Sequence, residues 1–178
     1  MLSYRVSGTG LPPIGSVHLL GQIPPPRDGP VLVLGTGCYL TSFTPITHRI
    51  PIKVRFYELD PYNHLNHATY VQYFEVGRVE LLESIGLGLT ALQEQGIQIV
   101  ITDLHTRFLA SAGPLDELVV ETEVGEVRRA STSWTQRLLR GDQVLATQEI
   151  TAAITDTSGR PVRMPEQLAA TLEALINR

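Results

Sequence analysis

The sequence predicts an α+β domain in which one long helix is wrapped by a five-stranded antiparallel sheet. Three observations lead there. One segment carries helical periodicity over several turns, five segments alternate like half-covered strands, and four of those five follow the helix without interruption. The domain is expected over residues 49–178, preceded by an extension over residues 1–48 of different character.

The first strand is read from Ile50, Ile52, Val54 and Phe56, which alternate with Pro51, Lys53, Arg55 and Tyr57. A polar loop from Glu58 to Asn66 follows. Tyr70, Phe74, Gly77, Leu81 and Ile85 then recur at offsets of three and four, the stripe of an amphipathic helix. Gln72, Glu75, Val79, Glu80 and Glu83 mark its mostly polar opposite side. Gly77 costs a helix about 1 kcal/mol relative to alanine, so its place on the apolar stripe predicts close approach to a sheet. Gly86 and Gly88 end the helix.

Strands are then expected over 97–109, 117–127, 132–140 and 143–155, separated by Ala112-Gly113-Pro114 and Gly141-Asp142-Gln143. In the third, Leu118, Val120, Thr122 and Val124 share a face. In the last, Val144, Ala146, Gln148, Ile150, Ala152 and Ile154 oppose Thr147, Glu149 and Thr151, the alternation of a strand covered on one side. Asp156 to Gly159 stop it, and Pro165 is placed at the first position of a closing helix. A single long helix beside five strands has to be enclosed by a curved sheet, which is the hotdog arrangement.

Bulk properties narrow the function. The chain has 178 residues, a size that buries an ample core, and a formal charge of −4. That charge argues against a nucleic-acid partner, which needs clustered cations. The nearest approach to a basic patch is Arg128-Arg129 with Arg137 and Arg140, ordinarily solvated side chains but also candidates for a phosphorylated ligand. The single Cys38 allows no internal disulfide and fits a reducing, cytoplasmic setting. No run approaches the ~20 apolar residues of a membrane span. The start of the chain lacks the basic-then-apolar order of a secretory signal. Residues 1–48 are punctuated by Gly and Pro and read as a flexible or loosely packed extension. The run Val31 to Leu34 before Gly35-Thr36-Gly37 hints at a nucleotide loop but lacks the third glycine and the helix. His18, His48 and His105 show no ligand spacing, and His64 and His67 have no third or fourth partner in the motif, so no metal or other cofactor is expected.

The chemistry concentrates around Asp60. It lies in a loop just before a helix N-terminus, where orphan backbone N–H groups and the helix dipole favour a developing negative charge. The bland reading is that an Asp there caps a turn. Around it, Arg55-Phe56-Tyr57-Glu58-Leu59-Asp60, then His64-Leu65-Asn66-His67, Tyr70 and Tyr73-Phe74-Glu75-x-x-Arg78 form a specific pattern. The pattern resembles the 4-hydroxybenzoyl-CoA thioesterase family, and within it the acyl-CoA thioesterases of the tol–pal cluster type, over about residues 50–170. The resemblance implies hydrolysis of an acyl-CoA or acyl carrier protein thioester without a cofactor. It makes Asp60 the nucleophile or general base and gives His67 a role in orienting or polarising the thioester. It also implies a homodimer or homotetramer with sites at the subunit interface.

His64 and Asn66 resemble the His-x-Asn of plant acyl carrier protein thioesterases. Those carry Asn two residues after the Asp, whereas this chain has Tyr62 there and Asn63 one later. His64 is therefore either a second catalytic group or a loop residue. Asn66 is either a substrate contact or the helix N-cap. Tyr70 is a candidate substrate contact, as are Arg128 and Arg129 for CoA phosphates. Glu75 either pairs with Arg78 as an ordinary i,i+3 helix pair or is the reserve catalytic carboxylate, since other hotdog thioesterases draw theirs from this helix. Two competing functions stay open: a hotdog hydratase or dehydratase acting on enoyl thioesters, and a non-catalytic acyl-CoA binder.

Overall fold

Alternation and periodicity become nine elements in the computed structural model, which describes residues 46–176. Residues 1–45, with His18, Cys38 and most of the expected extension, lie outside the described residues. In chain order the elements are β1 (His48–Lys53), a 3-10 turn (Phe56–Glu58), α1 (His67–Ser84), α2 (Leu89–Glu94), β2 (Gln98–Phe108), β3 (Glu117–Val127), β4 (Ser131–Arg140), β5 (Gln143–Thr155) and α3 (Glu166–Ile176). The strands form one antiparallel sheet in the order β1-β3-β4-β5-β2. The long helix α1 packs on β1, β3 and β4. This is the hotdog architecture that the sequence predicts.

Helix and sheet approach closely at Gly77. A Cβ there would meet Val120 Cγ1 at 2.7 Å and Thr122 Oγ1 at 2.8 Å, so only glycine fits. The apolar stripe of α1 is buried at Tyr70, Phe74 and Leu81 as its spacing requires.

A polar row divides the core. Thr106, Gln148, Gln136 and Thr122 lie side by side across β2, β5, β4 and β3. Gln136 Nε2 donates to Thr122 Oγ1 (2.9 Å) and to the Phe74 carbonyl (2.8 Å), and Gln148 Nε2 donates to Thr106 Oγ1 (2.8 Å). Arg78, buried on α1, donates to Gln136 Oε1 at 2.6 Å and Gln148 Oε1 at 3.0 Å, and pairs with Glu75. Burial pushes the Arg78 guanidinium below its ordinary range, and the Glu75 carboxylate opposes that. On one side of this row lie Trp134, Ile150, Leu82 and Leu168; on the other lie Phe74, Val120, Leu138 and Leu145.

The two sheet edges differ. β1 is six residues long and carries Pro51, which cannot donate to a further strand. β2 is an eleven-residue edge, irregular between Ile101 and Asp103. Its Ile101, Leu104 and Phe108 share the sheet face of core residues yet are 36%, 42% and 51% exposed.

Three local expectations shift. β1 stops at Lys53 rather than continuing through Tyr57, because the Arg55 amide turns to the Glu58 carboxylate, leaving Phe56 80% exposed. The short α2 was not expected between two glycine-marked breaks. α3 begins at Glu166, with the Pro165 carbonyl accepting the Ala169 amide (3.0 Å), so Pro165 caps the helix one position before the first turn. Among the described residues, no helix is long and apolar enough to cross a membrane.

Candidate active site

The loop between the 3-10 turn and α1 is closed on itself. Leu59 bridges Leu65, the Asp60 amide donates to the His64 carbonyl (2.7 Å), and the Asn63 amide donates back to the Asp60 carbonyl (3.0 Å). Asn63 takes a φ of 64°, a left-handed conformation that asparagine tolerates better than most residues. Asp60 Oδ1 accepts from the amides of Tyr62 (2.9 Å) and His64 (3.0 Å). The turn-capping reading of Asp60 is thus physically present, but it occupies one oxygen. Oδ2 has no hydrogen-bond partner among the described residues.

Behind the loop stands the segment that follows β2. The Leu65 amide donates to the Ala112 carbonyl (2.9 Å), and the Tyr70 hydroxyl accepts from the Ala112 amide (2.9 Å). The Tyr70 ring stands edge-on to Phe108, with centroids 5.3 Å apart. Burial pushes the Tyr70 phenol above its ordinary range. Asp116 fixes the far end of the segment by accepting from the Gly113 amide (2.8 Å) and Arg140 (2.6 Å), which hold its carboxyl below the usual carboxylate range.

Asp60, His64, His67 and Tyr70 line one open cleft of about 360 Å³, walled opposite by Phe108 to Ser111. Both imidazoles are exposed, while Tyr70 is a buried wall whose hydroxyl is committed to backbone. Asn66 caps α1, its side chain accepting from the Ala68 amide (2.9 Å), and its carbonyl takes the Thr69 amide. The amide of His67, first residue of α1, has no partner among the described residues. Among the described residues, a carboxylate oxygen without a partner, an orphan N–H at a helix N-terminus and two imidazoles therefore share a cleft.

The remaining candidates lie elsewhere. Glu75 pairs with Arg78 and faces a different pocket, between α1 and β2, with Ile99, Ile101 and Trp134. Arg128 and Arg129 follow β3 at the far end of the sheet. Phe108 aligns with Ala146, Leu138 and Val120, and eight residues of β3 separate Val120 from Arg128, about 26 Å at ~3.3 Å per residue. There they line a cleft of about 970 Å³ with Arg163 and the start of α3, and Arg128 pairs with Glu126 (2.7 Å). They do not join the Asp60 cleft within this chain. No group of three His, Cys, Asp or Glu side chains suited to a metal occurs among the described residues. The Phe108–Ser111 wall is not legible in the sequence, because strand pairing and the Leu65–Ala112 hydrogen bond bring it beside the loop.

The profile of the thioesterase-like superfamily matches residues 54–172. The acyl-acyl carrier protein thioesterase ATL3 of Arabidopsis thaliana, a chloroplastic protein, is 29% identical over 92% of this chain and 91% of its own length. That match reaches into residues 1–48, beyond the reach of the motif resemblance. The acyl-CoA thioesterase YbgC of Haemophilus influenzae is 32% identical over 70% of this chain and 93% of its own. The crystal structure of a DHNA-CoA thioesterase from Staphylococcus aureus superposes with a TM-score of 0.67 at 20% identity, covering 72% of this chain and 92% of that one. The hotdog sheet and the span of the family match agree, and the chain belongs to the thioesterase-like superfamily.

Proposed function

We propose that this protein hydrolyses acyl-CoA or acyl carrier protein thioesters to a free acid and a thiol, with Asp60 as nucleophile or general base. The observation that carries this reading is that Asp60 Oδ2 shares a cleft with the start of α1, and that neither it nor the His67 amide has a partner among the described residues. A thioester carbonyl seated there would develop its oxyanion against that N–H and the positive end of the helix. In this reading the His67 imidazole orients the carbonyl, and His64 is a second catalytic group in the same cleft. Two routes satisfy the balance. In one, Oδ2 attacks the carbonyl, expels the thiolate, and water cleaves the resulting anhydride. In the other, Oδ2 takes a proton from the water that attacks. The names of the relatives support the substrate class.

A second copy of this chain completes the assembly in this reading. The long open edge of β2 and the apolar side chains beside it suit antiparallel pairing with β2 of a partner. The cytoplasm, a reducing compartment, suits the single Cys38.

The test is thiol release from a panel of acyl-CoAs, followed with a thiol reagent, alongside hydration of crotonyl-CoA. Release of CoA from at least one acyl-CoA is expected. Hydration without thiol release would overturn the assignment in favour of a hydratase, and binding with neither reaction would favour an acyl-CoA binder.

A further inference from the structure

We infer that Glu58 and Tyr73 are positioning residues that hold the Asp60 loop in register with the start of α1. This rests on the thioesterase reading above, in which the loop and the helix start act on one carbonyl. Glu58 ends the 3-10 turn two residues before Asp60, and its side chain is only 11% exposed. Both carboxylate oxygens are occupied. Oε2 accepts the Tyr73 hydroxyl at 2.5 Å and the Arg55 amide at 2.6 Å, while Oε1 accepts Arg55 Nη1 at 3.1 Å. The Glu58 carbonyl accepts the Asn66 amide at 2.9 Å. One residue therefore ties together the approach to the loop, the cap of the helix that supplies the His67 amide, and the second turn of that helix.

The geometry is over-determined for a surface ion pair. A solvated Arg–Glu pair contributes little and needs no third partner. Here the carboxylate is drawn under the loop and paired with a buried phenol. The consequence is mechanical: Asp60 Oδ2 is aimed by a turn whose two ends, Leu59 and Leu65–Asn66, lie next to atoms that Glu58 holds. Loosening this clamp leaves Asp60 chemically intact but free to drift from the helix N-terminus. A misplacement of about 1 Å is enough to cost on the order of 100-fold in rate.

The experiment uses the full chain and the acyl-CoA from the panel that it cleaves fastest. Tyr73→Phe removes one hydroxyl, Glu58→Ala removes the clamp, and Glu58→Gln keeps an amide oxygen that accepts from both Tyr73 and Arg55. Tyr73→Phe is expected to lower kcat about ten-fold and Glu58→Ala about 100-fold, each with KM within about two-fold of the parent. Glu58→Gln is expected to recover kcat to within about three-fold, a rescue that loss of fold stability alone does not predict. Amide hydrogen exchange over residues 60–67 reads the clamp independently of turnover, and Tyr73→Phe should speed it about ten-fold. A parent chain that releases no thiol from any acyl-CoA or acyl carrier protein thioester would overturn the thioesterase reading, while exchange would still test the clamp. Unchanged kcat in Glu58→Ala, or unchanged exchange in Tyr73→Phe, would overturn the clamp itself.

Discussion

Replacing Arg78 with methionine isolates the polar row that crosses the core. The guanidinium is 6% exposed and donates to two amide oxygens, Gln136 Oε1 at 2.6 Å and Gln148 Oε1 at 3.0 Å. Methionine fills much of the same space but donates nothing, so both acceptors stay buried without that donor. Each such loss costs about 1–3 kcal/mol. Removing a buried charge returns part of this, because its desolvation is no longer required. The expected net loss is about 3 kcal/mol, read as the shift in urea midpoint with an unchanged m-value. A loss below about 1 kcal/mol would mean that the two glutamine oxygens do not depend on Arg78 as their donor.

Other perturbations follow from the same contacts. Gly77→Ala should destabilise by about 1–3 kcal/mol despite its better helix propensity, because the added Cβ meets Val120 and Thr122 inside 3 Å; thermal melting decides it. On acidification, the Glu58 carboxyl is pushed up by partial burial, but the Tyr73 hydroxyl and Arg55 together hold it below its usual value. Its stabilising contribution is therefore complete above about pH 5 and is lost as pH falls through the lowered folded value. Glu58→Gln should flatten that part of the acid stability curve. Leu104→Lys places a charge beside the open β2 edge, where Leu104 is 42% exposed; it should shift a dimer to monomer in sedimentation and lower thiol release with it.

The order of elements was readable because each strand is covered on one side and so alternates, while α1 carries its stripe at the helical period. Gly77 signalled close packing because nothing else explains a glycine on that stripe. Asn66 as helix cap and the Asp60 turn were readable from local chemistry, which needs only neighbours in sequence. What pairing creates was not readable. Gln148 and Thr122 could be placed on covered faces, but their alignment with Gln136 and Thr106 depends on register across four strands. The Arg78–Glu75 helix pair is legible from its i,i+3 spacing, but the two glutamines that also hold Arg78 are not, because sequence does not reveal which partner lies beneath a helix. Tyr73 and Glu58 sat in the motif as letters, and their contact spans fifteen residues through a fold in the chain. Arg128 and Arg129 are candidates by charge alone, and the length of β3 separates them from Asp60 within the chain.

In the proposed reaction Asp60 Oδ2, which has no partner among the described residues, carries the chemistry. Asp60→Asn tests it most directly, because the asparagine Oδ1 can still accept from the Tyr62 and His64 amides that shape the loop. With folding checked by circular dichroism, kcat for thiol release should fall by about 100- to 10,000-fold, the range lost with a general base or nucleophile. Thiol release within about three-fold of the parent would mean that the carboxylate is a turn cap and nothing more.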